Sequence, residues 1–131
     1  MLKNNLFLCA LGVMKAEGYF LPGVNPDYPE GSLSYKNNNP GNLRYSTLQV
    51  NNVDNFAVFD SLFIGFIALL YQLELYANGK SGIVSPDATI EAAFSHYTGL
   101  AEGSVDLDNY LSDIETETGL SRLEKISILL E

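Results

Sequence analysis

Glu17 closes an apolar helical stripe, is followed at once by Gly18, and precedes a loop reading Tyr35-Lys36-Asn37-Asn38-Asn39-Pro40-Gly41-Asn42-Leu43-Arg44-Tyr45. A carboxyl held against apolar neighbours is poorly hydrated when charged, so it keeps its proton to higher pH and can protonate a leaving oxygen. Glycosidic-bond cleavage uses a general acid of this kind. The same glutamate also suits the solvated last turn of an ordinary helix, and the residue by itself does not choose between the two. The loop adds a second feature. Pro40 restricts Asn39 to extended backbone, Gly41 permits a positive φ, and asparagine amides present both donors and acceptors. Such planar polar groups bind sugars, although they also build Asx turns that bind nothing. Eight tyrosines, among them Tyr19, Tyr35, Tyr45 and Tyr97, supply aromatic faces and hydroxyls suited to a saccharide cleft or to a core.

The elements that must position these residues follow from periodicity. Leu2, Leu6, Cys9, Ala10, Val13, Met14 and Glu17 recur at spacings of three and four, which predicts a helix with Glu17 on its inward face. Asn4 or Asn5 is the expected cap and Gly18 the expected stop. From Leu21-Pro22-Gly23 the chain is turn-rich, and Gly31 to Tyr45 carries too much Asn, Gly and Pro for a helix. Leu43-Arg44-Tyr45 and Phe56-Ala57-Val58-Phe59 are the expected strands of a small hairpin. Asp60 or Ser61 should cap a helix running through Phe63, Phe66, Ile67, Leu70, Leu73 and Leu75 to Ala77, with Gly79 beyond it. Being apolar nearly all round, it is expected to be the central buried helix. Thr89 should open a further helix (Ile90, Ala93, Phe94, Tyr97), Asp106 another (Tyr110, Leu111, Ile114) ended by Gly119, and the capping box Ser121-Arg122-Leu123-Glu124 a terminal one through Ile128.

With 131 residues, 47% of them hydrophobic and 18% charged, the chain is expected to form one globular domain over residues 1–131. The class is α+β, mainly α, with a small irregular or two-stranded β lobe. A net charge of -9, from 7 Lys+Arg against 16 Asp+Glu, offers no cationic footprint for nucleic acid or for an anionic membrane surface. The apolar run near the N-terminus falls short of the ~20 residues of a membrane span. It lacks a small-x-small cleavage site, and Leu8 precedes Cys9 where a lipoprotein signal has a small residue, so no signal peptide and no membrane insertion are expected. Cys9 is the lone cysteine and His96 the lone histidine. No metal-ligand spacing is present, and neither metal nor cofactor is expected.

The order of these motifs resembles the small phage and prophage lysozyme-like muralytic domains related to lytic transglycosylases. The resemblance lies in Lys15-Ala16-Glu17-Gly18-Tyr19-Phe20, Pro22-Gly23, the block from Ser34 to Tyr45, and Phe56-Ala57-Val58-Phe59 with Gly65 in the following helix. A weaker tail follows in Thr89 to Tyr97, Asp106 to Tyr110 and Thr118-Gly119. It implies a lysozyme-like fold with Glu17 as catalytic acid, Ser34, Asn39 and Asn42 lining a sugar cleft, and Tyr97 at the position of a tyrosine that bonds the catalytic carboxyl. It departs from the family pattern at Thr98 to Val105, which lacks the usual proline and asparagine run, and at Lys36, where arginine is common.

The implied activity is cleavage of the bond between N-acetylmuramic acid and N-acetylglucosamine in peptidoglycan glycan strands. Asp27, Glu30, Asp54 and Asp60 are available as a second carboxylate, but none lies in a motif that marks it. One marked glutamate favours a lytic transglycosylase over a hydrolytic muramidase. A non-catalytic virion structural or cell-wall-binding module of the same fold is the third reading. The expected place of action is the cell wall or periplasm, reached from a phage virion or the host cell, with other virion proteins as further partners.

Overall fold

Helix α1 (Asn4–Ala16) opens the part of the chain that the computed structural model describes, residues 4–131. Leu2, expected on the inward stripe, lies outside the described residues. The rest of the stripe packs as its spacing requires: Leu6, Cys9, Ala10 and Val13 are buried and Met14 half-buried. Asn5 does not cap. Its side-chain amide instead donates to the carbonyls of Ile128 and Glu131. The remaining elements are α2 (Leu33–Lys36), β1 (Asn51–Val53), β2 (Phe56–Val58), α3 (Leu62–Ala77), α4 (Ile90–Thr98), α5 (Val105–Thr118) and a terminal 3-10 segment (Ile126–Leu130). The protein is therefore mainly helical with one two-stranded antiparallel sheet. Among the described residues no helix is long and apolar enough to cross a membrane.

The chain divides into two compact units, one formed by the residues up to Ala16 with Leu70–Glu131, the other by Glu17–Leu69. In the first, the helical unit, α1 lies so close to α5 that a Cβ on Gly12 would come within 2.8 Å of the Ile114 Cα. Phe94, Leu107, Leu111, Ile114, Ile126 and Leu129 complete its core. Thr89 caps α4 by accepting from Ala92 N, as expected. For α5 the cap is Ser104, and Asp106 falls in the first turn, where a negative charge suits the helix dipole. Gly99 and Gly119 end these helices in the left-handed conformation.

The expected terminal α-helix does not form. Ile90 and Glu91 donate their backbone N–H groups to Glu124 and Arg122, and Ile126 donates to Ala88, so the backbone of this segment is committed to the start of α4. Arg122 reinforces this, its guanidinium reaching Asp108 at 2.6 Å and Glu115 at 2.7 Å. The hydrogen bond from Arg122 holds the Glu115 carboxyl below its ordinary pKa.

The second, loop-rich unit departs further from expectation. A turn of helix, α2, occupies part of the segment read as too rich in Asn, Gly and Pro for one, because Ser32 caps it and accepts from Tyr35 N. The hairpin does form, with Asn51, Asn52 and Val53 opposite Val58, Ala57 and Phe56. Its first strand lies later than Leu43-Arg44-Tyr45, because Asp54 and Asn55 take φ 52 and 66. Two successive left-handed residues make the tight reversal that suits strand twist. Leu43 still serves the sheet, its carbonyl accepting from Ala57 N. Ser61, one of the two expected caps of α3, accepts from Ile64 N. Helix α3, whose residues 62–69 belong to this unit and 70–77 to the helical one, is not buried all round: Leu69 and Leu73 are fully buried, but Phe63, Ile67 and Tyr71 are exposed.

Candidate functional site

The chain leaves α1 at Ala16, and Gly18, at φ 71, turns it immediately after Glu17. Glu17 is half-buried and belongs to the loop-rich unit. Phe20 begins a loop whose two ends are tied together: Ser32 N donates to the Phe20 carbonyl at 3.0 Å, and Phe20 N donates to the Ser32 hydroxyl at 2.9 Å. Inside the loop, Asn25 accepts from Asp27 N through its side chain and from Tyr28 N through its carbonyl, a compact Asx turn. This closure brings Tyr28 back onto Phe20, their rings stacked with centroids 6.2 Å apart and 28° between planes.

Ser32 is the pivot. Besides tying the loop and capping α2, its hydroxyl meets that of Ser34 at 3.1 Å, and both serines are buried. Downstream, the asparagine block divides its work. Asn39 is fully buried; its amide nitrogen donates to the carbonyls of Leu43 and Ala57, and its oxygen accepts from Leu43 N, all at 2.9 Å. Asn38, at φ 52, donates its amide to the Phe59 carbonyl. The Asn38 carbonyl is where α3 seats, because a Cβ on Gly65 would overlap it. Asn42 takes φ 47, a left-handed conformation that asparagine tolerates, and its side-chain oxygen is buried without a protein donor.

Glu17, Gly18, Phe20, Tyr28, Ser32, Leu33, Ser34 and Asn42 line one cavity of about 200 Å³, all from the loop-rich unit. Glu17, Ser34 and Asn42, singled out from the sequence, thus meet at one place. Asn39 does not line this cavity. Its polar atoms face backbone, and its role is to bracket the loop against the sheet. Tyr97 is in the helical unit, on α4, with its ring edge-on to Tyr76 and tilted against Phe94. His96 also stands edge-on to Tyr76.

Four lining residues, Phe20, Tyr28, Ser32 and Leu33, escape a reading of the sequence. Only the serine carried a signal, standing as a capping residue just before a short apolar-polar turn. The aromatic pair depends on closure of a loop that no local pattern announces. Nearby, burial and then the adjacent Tyr35 push the Tyr19 phenol above its ordinary pKa, the two rings meeting edge to face at 5.8 Å. Arg44 lies over the Phe56 ring at 4.1 Å, an exposed residue using its cation on the hairpin. Among the described residues no group of three or more His, Cys, Asp or Glu is placed to hold a metal ion.

Chemically, the cavity combines one carboxyl, hydroxyls, an amide and an aromatic wall. That set can hold a neutral polar ring and move a proton to or from it. The sequence matches no protein-family model, and neither the curated proteins nor the solved structures include a match to it.

Proposed function

We propose that the cavity of the loop-rich unit is a saccharide site at which Glu17 cleaves the bond between N-acetylmuramic acid and N-acetylglucosamine in peptidoglycan, as a lytic transglycosylase of phage or prophage origin. The observation that carries the reading is the convergence of Glu17 with Ser34, Asn42 and the Phe20–Tyr28 stack on one cavity. The fold it presumes is lysozyme-like. A single carboxyl suffices for this chemistry. Glu17, protonated, gives its proton to the glycosidic oxygen as the bond to the muramic C1 breaks. As carboxylate it then takes the proton of the muramic 6-hydroxyl while that oxygen bonds C1. The products are a new free 4-hydroxyl and a 1,6-anhydro ring, and no water is consumed.

Hydrolysis with the same acid would need a second carboxylate, either as nucleophile or to activate water. Asp27, Glu30, Asp54 and Asp60 all lie in the same unit, but among the described residues lining the cavity Glu17 is the sole carboxylate. This supports the transglycosylase over the muramidase. The net charge of -9 favours a third reading, a non-catalytic wall-binding or virion structural module, since anionic wall polymers repel an acidic protein that must find them by diffusion.

Mass spectrometry of purified peptidoglycan after incubation separates the three. Anhydromuramic ends are expected; reducing muramic ends would establish hydrolysis, and intact strands would establish the non-catalytic module. Glu17→Gln should lower the cleavage rate by about 100- to 10,000-fold, the usual worth of a positioned proton donor. Undiminished cleavage by that variant would overturn the assignment of Glu17.

A further inference from the structure

Residues 21–30 form a loop with a shape of its own and little hold on the rest of the protein. Val24 N donates to the Leu21 carbonyl, Gly31 N to that of Tyr28, and Asn25 accepts from Asp27 and Tyr28. Pro22, Pro26 and Pro29 stiffen the loop by fixing φ. Among the described residues every hydrogen bond made by 21–30 stays between Leu21 and Gly31, and all of the ten but Asn25 are exposed. Attachment therefore falls on the two ends. Ser32 N donates to the Phe20 carbonyl at 3.0 Å, and Phe20 N donates to the Ser32 hydroxyl at 2.9 Å. The same hydroxyl accepts from Tyr35 N at 3.3 Å, and the Ser32 carbonyl accepts from Lys36 N at 3.0 Å, so Ser32 starts α2 as well. A serine oxygen has two lone pairs and one proton. Phe20 N and Tyr35 N occupy the lone pairs, and the proton goes to the Ser34 oxygen at 3.1 Å. The Ser32 hydroxyl is thus fully engaged inside the fold and has nothing left for a ligand.

What those bonds hold is the cavity. Phe20 and Tyr28 form the loop side of its lining, Leu33 and Ser34 the α2 side, and the Ser32 oxygen is bonded to the backbone of both. The neck beside it is tight. Gly31 takes φ 91, and a Cβ there would run into the Tyr35 ring and come within 3.0 Å of the Phe20 carbonyl. Glu17 lies outside the loop, ahead of its first tie at Phe20. We infer that Ser32 is the positioning residue of this cavity: its hydroxyl locks the Phe20–Tyr28 wall against α2 and so sets the affinity for a sugar, without a part in proton transfer at Glu17. The inference rests on the saccharide reading of the cavity and adds which residue keeps the two walls in place. An aromatic wall contacts ground state and transition state alike, so loosening it weakens binding and leaves the chemical step as it was.

The test compares the wild-type protein, Ser32→Ala and Ser32→Thr on soluble glycan strands released from peptidoglycan. Ser32→Ala should raise KM at least about tenfold, the order expected when buried donors lose their acceptor, with kcat within about twofold of wild type. Ser32→Thr, which keeps the hydroxyl and also caps helices, should recover most of the affinity. A serine needed only for folding gives another pattern, since less folded protein lowers the apparent kcat and leaves KM alone. A second measurement needs no variant. Saturating triacetylchitotriose should slow amide exchange at Phe20 and Tyr35 of the wild-type protein at least about tenfold, because a sugar held between the walls opposes opening of the lock. If Ser32→Ala does not fold, that measurement alone decides. Unchanged KM in folded Ser32→Ala, or Phe20 exchange indifferent to the sugar, overturns the inference, and cleavage by the wild-type protein then leaves the catalytic reading standing. Wild-type protein that neither cleaves the strands nor binds the trisaccharide overturns the saccharide reading, and the inference with it.

Discussion

The two units of this chain are stabilised by different physics. In the helical unit, α1, α4 and α5 bury aliphatic and aromatic faces, and polar groups sit at helix ends or in exposed ion pairs such as Lys15–Asp113 and Lys125–Asp87. In the loop-rich unit the buried apolar set is smaller, and side chains bond to backbone instead: Asn38 to Phe59, Asn39 to Leu43 and Ala57, Ser32 to Phe20 and Tyr35. A unit organised by buried polar side chains can line a cavity with a carboxyl, hydroxyls and an amide. A close-packed helical core excludes such groups, because each one left unpaired costs about 1–3 kcal/mol. The contrast explains why the candidate chemistry collects in the less regular half of the protein.

The sharpest way to break the comparison is at Asn39. Asn39→Asp replaces an amine that donates to two carbonyls by an oxygen aimed at them, in a site with no exposure. A loss of about 3 kcal/mol or more is expected, read as faster amide exchange across residues 37–58. Exchange in that stretch no faster than in the wild-type protein would show that the bracket contributes little.

Next come the two close approaches, one in each unit. Gly65→Ala drives a Cβ into the Asn38 carbonyl, which the surrounding turn holds in place, and Gly12→Ala brings one to 2.8 Å from the Ile114 Cα. Overpacking of this kind costs about 1–3 kcal/mol, sometimes more. The larger loss is expected at Gly65, since two helices can slide apart more easily than a bracketed loop can yield. Denaturant midpoints of the two variants give the order directly, and the reverse order would mean that the loop is the softer partner.

A smaller effect belongs to the Arg122 clamp. Because Arg122 holds the Glu115 carboxyl below its ordinary pKa, the folded state takes up this proton less readily than the unfolded chain. The associated stability is fully present above about pH 4.5, the ordinary value, and is lost as pH falls through the lower folded value. Arg122→Ala should therefore cost about 1 kcal/mol at neutral pH and show a shallower acid-side decline. An unchanged slope below pH 4.5 would remove the clamp from the acid response.

The last prediction changes no residue. Cys9 is fully buried, and burial raises its thiol pKa to about 12. Thiol reagents at neutral pH should modify it only through opening of the helical unit. Its labelling should be slower than exchange of the loop-rich amides at Asn37 to Asn42, and immediate labelling of the native protein would contradict that burial.

Helix faces were legible wherever burial follows a simple period. Leu6, Cys9, Ala10 and Val13 lie on α1 as their spacing requires, and the glycines at 18, 79 and 119 take the left-handed conformation at helix ends. The period of α3 was less informative, because nearly every position is apolar and no pattern could mark Phe63, Ile67 and Tyr71 as the outer face. The 121–131 segment misled for a different reason. Its capping box is a weak local preference, outweighed by backbone bonds to the start of α4 and by two short contacts from Arg122.

In the candidate site, residue type marked Glu17 and the amide-rich turn from Asn37 to Asn42, because an isolated carboxyl and a run of amides are chemically conspicuous in any conformation, whereas Ser34, Asn39 and Asn42 were singled out individually only by the resemblance. Which of the asparagines build the loop and which face the cavity was settled only by tertiary structure. Asn39 and Asn42 carry the same side chain three positions apart, yet one donates its amide to the carbonyls of Leu43 and Ala57 and the other lines the cavity with its side-chain oxygen buried and unpaired. That difference depends on where β2 and α3 lie in space, and composition and spacing contain no term for a partner that arrives from elsewhere in the chain.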